Sequence, residues 1–278
     1  MNTILLKDIT LCQPRKTLPV SLSGRKCSFA CQHCNSLYLN NMKDTAVSEM
    51  LLKNNYYKSI LISGGYKINA EIPIIENRFF IDLVVKNGYK INVHPGLAET
   101  ETIKYLSFIN PVISFDFLTD EKTIENIYRP KGIINSVKIK KVLDEFLKNN
   151  LNVVPHIILG INYGNISGEY EAIEYISRLN LPNLVFLVFN PTKNTPFEFA
   201  PEPEPSEIEK ILFYARNLMP DTSFMLGCMR PRGKNRQKTE EIALKYGFNK
   251  IVMASEYTEN LLLENNVKII HSEECCVF

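Results

Sequence analysis

Residues 24 to 35 read Gly24-Arg25-Lys26-Cys27-Ser28-Phe29-Ala30-Cys31-Gln32-His33-Cys34-Asn35, a C-x3-C-x2-C spacing. They follow an apolar run at 19–23 that reads as a strand, so the three cysteines fall in the loop at its C-terminal end. Three thiolates this close in sequence can wrap one face of a cubane iron–sulfur cluster and leave its fourth iron open to a small molecule. The competing reading is a structural zinc knuckle with His33 as fourth ligand. His33 is adjacent to Cys34, an awkward arrangement for joint ligation of one ion.

Outward from this loop, short apolar runs at 19–23, 59–63, 90–94, 112–117, 152–159, 184–190, 223–227 and 250–254 alternate with helical patterns. That alternation predicts βα units around a parallel sheet. The runs are rich in Val, Ile, Leu and Phe, as strands covered on both faces should be. Between them, 136–148 sets Val137, Ile139, Val142, Leu143, Phe146 and Leu147 along one apolar helix face. Ser206 with Glu209 predicts a capping box opening a helix through Ala215, and Gly88 and Gly247 stand where helices should stop. The loop at 191–205 carries five prolines and reads as a lid or a docking arm. About eight such strands fit a complete or partial TIM-type α/β barrel, whose chemistry sits on loops after the strands' C-terminal ends. One barrel domain over 1–278 is expected: an N-terminal extension at 1–18, a core at 19–255 and a C-terminal extension at 256–278.

Composition narrows the class. Of 278 residues, 45% are hydrophobic and 22% charged, and 32 Lys and Arg against 30 Asp and Glu leave a net charge of +2. That balance gives no electrostatic footprint for nucleic acid. No uncharged apolar stretch approaches the roughly 18 residues of a membrane span. The opening Met1-Asn2-Thr3-Ile4-Leu5-Leu6-Lys7-Asp8 lacks a signal peptide's apolar region and cleavage site, so a cytoplasmic protein is expected. There, an odd total of seven cysteines reads as metal ligands or free thiols rather than a disulfide framework.

The cysteine loop, with Phe29 in its first gap and Asn35 just after, resembles that of the radical S-adenosylmethionine (radical SAM) superfamily. The resemblance implies that Cys27, Cys31 and Cys34 hold a 4Fe–4S cluster whose open iron binds the amino and carboxylate groups of S-adenosylmethionine. Reductive cleavage of that cofactor then yields a 5′-deoxyadenosyl radical. Ser63-Gly64-Gly65, ending the second strand, resembles the family's glycine motif, whose backbone binds the cofactor's amino group; the acid often found next is here Tyr66. Ser114 and Asp116 fall where the family contacts ribose or carboxylate, and Ile158-Leu159-Gly160 where it positions adenine. Each of these short motifs is weak alone; their order along the strands carries the reading.

Four cysteines remain: Cys12 before the barrel, Cys228 after the seventh strand, and Cys275-Cys276 near the last residue. They suffice for a second, auxiliary iron–sulfur cluster if both chain ends meet one barrel mouth. Buried apolar thiols and a redox-active or persulfide-carrying pair are the alternatives. Adjacent cysteines cannot easily ligate one cubane unstrained, so one of Cys275 and Cys276 is the expected ligand. In Leu226-Gly227-Cys228-Met229-Arg230-Pro231-Arg232-Gly233 the arginines are expected to stabilise a Cys228 thiolate, to hold an anion, or to serve as an unusual metal ligand.

Over nearly its whole length the chain resembles a group of archaeal biotin synthase homologues similar to the smaller partner of two-protein lipoyl synthases. That implies sulfur insertion into an octanoyl chain on a carrier lysine. The implied partners are a second radical SAM lipoyl synthase protein, a lipoyl carrier (the glycine-cleavage H protein or an E2 lipoyl domain), and a reductant such as ferredoxin. Where biotin synthases place cluster cysteines on barrel strands, this chain has His94, Asp116 and His156; these histidines read as satisfied core residues. Other outcomes stay open: a radical methylase or dehydrogenase with a structural second cluster, or a non-catalytic cluster-bearing partner.

Overall fold

The computed structural model describes residues 6–278; residues 1–5 of the expected N-terminal extension lie outside the described residues. Ten strands form one sheet: β1 (Asp8–Cys12), β2 (Thr17–Ser21), β3 (Ser59–Ser63), β4 (Lys90–Val93), β5 (Val112–Asp116), β6 (Asn152–Leu159), β7 (Asn183–Val188), β8 (Ser223–Leu226), β9 (Lys250–Val252) and β10 (Lys268–Ser272). Every pairing is parallel, in the order β10-β1-β9-β8-β7-β6-β5-β4-β3-β2. The end strands β10 and β2 do not pair, so the barrel is partial rather than closed.

Crossover helices make the parallel order possible. They are α1 (Thr45–Leu52), α2 (Arg78–Lys86), α3 (Thr100–Ile109), α4 (Glu121–Ile127), α5 (Ser136–Lys148), α6 (Glu169–Ser177), α7 (Pro205–Leu218), α8 (Gly233–Lys245) and α9 (Glu256–Glu264). The strands' near-continuous burial, for example from Val153 through Leu159 in β6, is why they carry apolar runs rather than alternating ones.

All eight expected strands are present, three of them shifted or shortened by two residues. Two strands were not anticipated. β1 and β10 sit side by side in register from Asp8↔Lys268 to Cys12↔Ser272, and β1 also pairs with β9. Both chain ends thereby join the core sheet. β10 is only partly buried, and its apolar run is just Ile269-Ile270 between Lys268 and His271.

Helix ends follow local chemistry. The Asn135 side chain accepts from the Lys138 N–H to start α5, and Gly88 and Gly247 follow the last turns of α2 and α8 with φ of 74° and 69°. The expected capping box at Ser206 is corrected: α7 begins one residue earlier at Pro205, whose fixed φ suits a first helical turn, and no side chain caps it. On α5, Ile139, Leu143 and Phe146 are buried, but Val137 is 71% exposed, one position outside the true apolar stripe.

Candidate active site

The loop after β2 arches over the barrel's C-terminal mouth, where Cys27, Cys31 and Cys34 line a chamber of about 1120 Å³, its open mouth included. Backbone bonds fix the loop from three sides: the Ala30 N–H donates to Arg129 O (2.9 Å), Gln32 N–H to Ile127 O (2.8 Å) and Ser28 N–H to Tyr66 O (2.8 Å). Phe29 is buried and meets the Tyr66 ring edge-on, centroids 5.3 Å apart. The β3 glycine strap passes so close that a Cβ on Gly65 would lie 2.1 Å from Lys26 O and 2.6 Å from Cys27 Cα. The Gly65 N–H donates to Ser23 Oγ at 2.7 Å. Glycine is therefore needed at Gly65 for space, with no demand on its φ.

The thiols are electrostatically unequal. A hydrogen bond from Cys31 holds Cys34 down to about 4 against its burial, with His33 helping, while the same bond and burial push Cys31 far up. His33 lines the same chamber, and its Nδ1 atom is buried with no partner. Among the described residues, no group of three or more His, Cys, Asp or Glu side chains is already drawn together around a metal ion, at this loop or elsewhere. A cubane spreads its irons over separate thiolates, so three cysteines lining one chamber fit a 4Fe–4S cluster. The rest of the chamber offers S-adenosylmethionine polar groups among apolar walls.

Ser63, Gly64, Gly65, Ser114 and Asp116 all line this chamber. Burial pushes the Asp116 carboxyl up, against the pull of His156 and His33. Burial likewise raises Tyr66 and Tyr128 well above the usual range, with Asp116 adding to both. The Ser114 hydroxyl is already used, donating to Asn92 Oδ1 at 2.7 Å. Gly160 departs from expectation. Its backbone sits at φ 73°, a Cβ there would meet Pro203 Cγ at 2.2 Å, and its N–H is held by Glu169. It fastens the proline-rich loop instead of the chamber, where Ile158 and Ile161 form that wall. That loop is no free arm: Phe197 and Ala200 are buried, and the Phe197 N–H donates to Gln32 O.

His94 and His156 face each other in the barrel interior, ring centroids 5.3 Å apart. Burial pulls each down to about 4, so both are neutral at pH 7. The His156 Nδ1 pairs with Val154 O at 3.0 Å.

The four remaining cysteines converge. Cys12 and Cys276 are buried in one cluster with Val154, Val185, Met225, Val252 and Val277, with Cys275 packed against it. Cys228 is close enough for its charge to act on Cys276, and Cys275 on Cys12, Cys228 and Cys276 alike. The tail that brings Cys275 and Cys276 follows β10, is held by Lys250 Nζ donating to Cys276 O (2.8 Å) and Phe278 O (2.6 Å), and by a Lys90–Glu274 ion pair at 2.8 Å. A hydrogen bond from Cys276 lowers Cys275 to about 7, while that bond and burial push Cys276 up. Burial raises Cys12 to about 11. Cys12 near the start of the chain, Cys275 and Cys276 near its last residue, and the exposed Cys228 after β8 lie in one neighbourhood, and four such thiols fit the donor set of a second cluster.

The arginine loop has a different role from those expected. Cys228 is exposed to solvent but ringed by protein, which raises its thiol, and Arg230 offsets this only partly, because that guanidinium is committed elsewhere. Arg230 donates to Glu240 through Nε (3.0 Å) and Nη2 (2.7 Å), to Gly227 O, and to the carbonyls of Val252 and Met253. Arg230 therefore offers nothing to an anion or metal and instead clamps the Cys228 loop onto α8 and β9.

The chain folds as a partial parallel α/β barrel with the cysteine loop at its mouth. No family model and no curated protein matches the chain. Among solved structures it is similar to the methylornithine synthase PylB, with 16% identity, a TM-score of 0.61, and 88% of this chain and 72% of that one covered. It is also similar to the FeFe-hydrogenase maturase HydG from Carboxydothermus hydrogenoformans, with 11% identity, 95% and 68% coverage and a TM-score of 0.62. Streptococcus suis SuiB bound to S-adenosylmethionine shares 13% identity over 81% of this chain and 52% of that one, TM-score 0.58. At these identities the likeness establishes the fold.

Proposed function

We propose that this chain is a radical SAM enzyme that inserts sulfur into a protein-bound octanoyl-lysine chain, as one subunit of a two-protein lipoyl synthase. A 4Fe–4S cluster on Cys27, Cys31 and Cys34, with S-adenosylmethionine on its open iron, supplies a 5′-deoxyadenosyl radical when reduced, the reagent an unactivated C–H bond requires. The chain's own residues position and shield. Gly65 lets the β3 strap close against the cluster loop, Asp116 and the β3 backbone offer polar contacts to the cofactor, and Ile158, Ile161 and Leu118 keep an alkyl substrate dry.

The observation that carries the sulfur-insertion reading is the convergence of Cys12, Cys275 and Cys276 from the two chain ends with Cys228 from the loop after β8. A second cluster there, whose bridging sulfide is the sulfur source, gives the four thiols a common purpose. The second radical SAM protein, an H protein or E2 lipoyl domain, a ferredoxin-type reductant and a cytoplasmic setting belong to this reading, as does a single barrel domain over the chain. The test reconstitutes the protein with heavy-isotope sulfide and supplies partner protein, S-adenosylmethionine, a strong reductant and octanoylated H protein. Mass spectrometry should find the heavy sulfur on the carrier. Cleavage of S-adenosylmethionine with no sulfur on the carrier refutes sulfur insertion while keeping radical chemistry.

A further inference from the structure

Four successive strands each place one buried polar side chain around a single residue of the tail. Thr17 on β2 accepts the Cys275 N–H at 2.9 Å and is hydrogen-bonded to Ser59 on β3 at 2.8 Å. Asn92 on β4 donates its amide to Cys275 Sγ at 3.8 Å, and Ser114 on β5 donates to Asn92 at 2.7 Å. These four are 7%, 0%, 1% and 1% exposed. The other half of the sheet is the reverse: β6, β7, β8 and β9 contribute Val154, Val185, Met225 and Val252, and Cys276 packs among them.

Burying four hydrogen-bonding side chains costs free energy that apolar residues of the same size would not. What they hold together is the backbone and the sulfur of Cys275. An amide N–H aimed at a sulfur is the arrangement that orients a cluster ligand and tunes its potential. Cys276, one residue on, has its carbonyl held by Lys250 but its side chain packed in the apolar cluster and against the other thiols. Two adjacent residues cannot both reach one cubane without strain, so the tail supplies one ligand.

Resting on the second-cluster reading above, we infer that Cys275, and not Cys276, is the tail's ligand to that cluster and that Asn92 is its positioning residue. Through Ser114, which lines the S-adenosylmethionine chamber, the same hydrogen-bonded chain joins the chamber wall to the second cluster.

The test uses the full chain carrying Cys27/Cys31/Cys34→Ala, so that any iron belongs to the second centre. After anaerobic reconstitution, Cys275→Ala should lose the iron and Cys276→Ala keep it. Asn92→Leu should keep iron but move the cluster's midpoint to more negative potential, because the donor that favours the reduced, more negative form is gone. A tenfold change in the oxidised-to-reduced ratio, ~59 mV for one electron, is the expected size; Asn92→Gln, which restores a donor, should recover part of it. Iron kept by Cys275→Ala, or lost by Cys276→Ala, overturns the ligand assignment. An unmoved potential in Asn92→Leu overturns the role of Asn92. A background chain that binds no iron at all overturns the second-cluster reading itself and takes this inference with it.

Discussion

Glu240→Ala should be among the most damaging single substitutions outside the chamber. The Glu240 side chain is 0% and the Arg230 side chain 2% exposed, joined by bonds of 3.0 and 2.7 Å. Glu240 also accepts from Arg236, from the Ser255 N–H and hydroxyl, and from the Thr258 hydroxyl, so one carboxylate ties the Cys228 loop, α8, β9 and the start of α9. Removing one partner of a buried pair leaves an uncompensated charge and costs about 3–5 kcal/mol. The orphaned hydroxyls add loss that overlaps with this, so about 4 kcal/mol is expected. For a chain this size that corresponds to a fall in Tm of about 10 °C. Urea unfolding of the metal-free protein at pH 7 measures it, and Arg230→Met combined with Glu240→Leu should recover at least half. Burial opposes ionisation, yet Arg230, Ser255 and Thr258 together hold the carboxyl below its usual range. Its contribution is therefore complete above the unfolded value near 4.5 and disappears as pH falls through the lower folded value. A Glu240→Ala protein within about 1 kcal/mol of wild type, or a double variant losing as much as both singles summed, would refute this account.

Gly65→Ala puts a methyl 2.1 Å from Lys26 O and 2.6 Å from Cys27 Cα; since the clash is with backbone, the cluster loop must move. Iron analysis should show loss of the first cluster with far-UV circular dichroism unchanged, and a full iron complement would contradict it. His94 and His156 remain neutral in the fold down to about pH 4, whereas the unfolded chain takes up protons near 6.5. Acidification to pH 5 should then cost about 2 kcal/mol per histidine at 1.36 kcal/mol per pKa unit. His94→Phe should flatten that slope by about one proton; an unchanged slope would show that the imidazoles reach water.

Much of the barrel was legible because both of its periodicities are local. β3 and β6 match their apolar runs residue for residue, since strands buried on both faces need unbroken hydrophobicity. The cysteine loop was legible for a different reason: its ligands are neighbours in sequence, and a strand end precedes them. Gly65 was legible as a glycine but not as a spacer, because the atom it must avoid, Lys26 O, lies 39 residues earlier along the chain. Gly160 misled for the converse reason. A glycine at a strand end reads the same whether it faces a ligand or, as here, a proline ring 43 residues further on.

What sequence could not supply was the meeting of the chain ends. β10 offers only Ile269-Ile270 between polar residues, because its side chains stay largely in water, whereas the other end strand, β2, is buried and carries a longer apolar run. Yet its pairing with β1 carries the chain to within three residues of Cys275. The polarity of the barrel interior is equally invisible along the chain: Thr17, Ser59, Asn92 and Ser114 are single polar residues in four separate strands. Read one at a time, each resembles an ordinary strand-end or edge residue. Brought together by parallel pairing, they form the polar half of an interior whose other half is Val154, Val185, Met225 and Val252. That asymmetry distinguishes two adjacent cysteines that the sequence presents as equivalent, placing Cys275 between the Thr17 hydroxyl, which accepts its N–H, and the Asn92 amide, which donates to its sulfur, and the Cys276 side chain against aliphatic carbon.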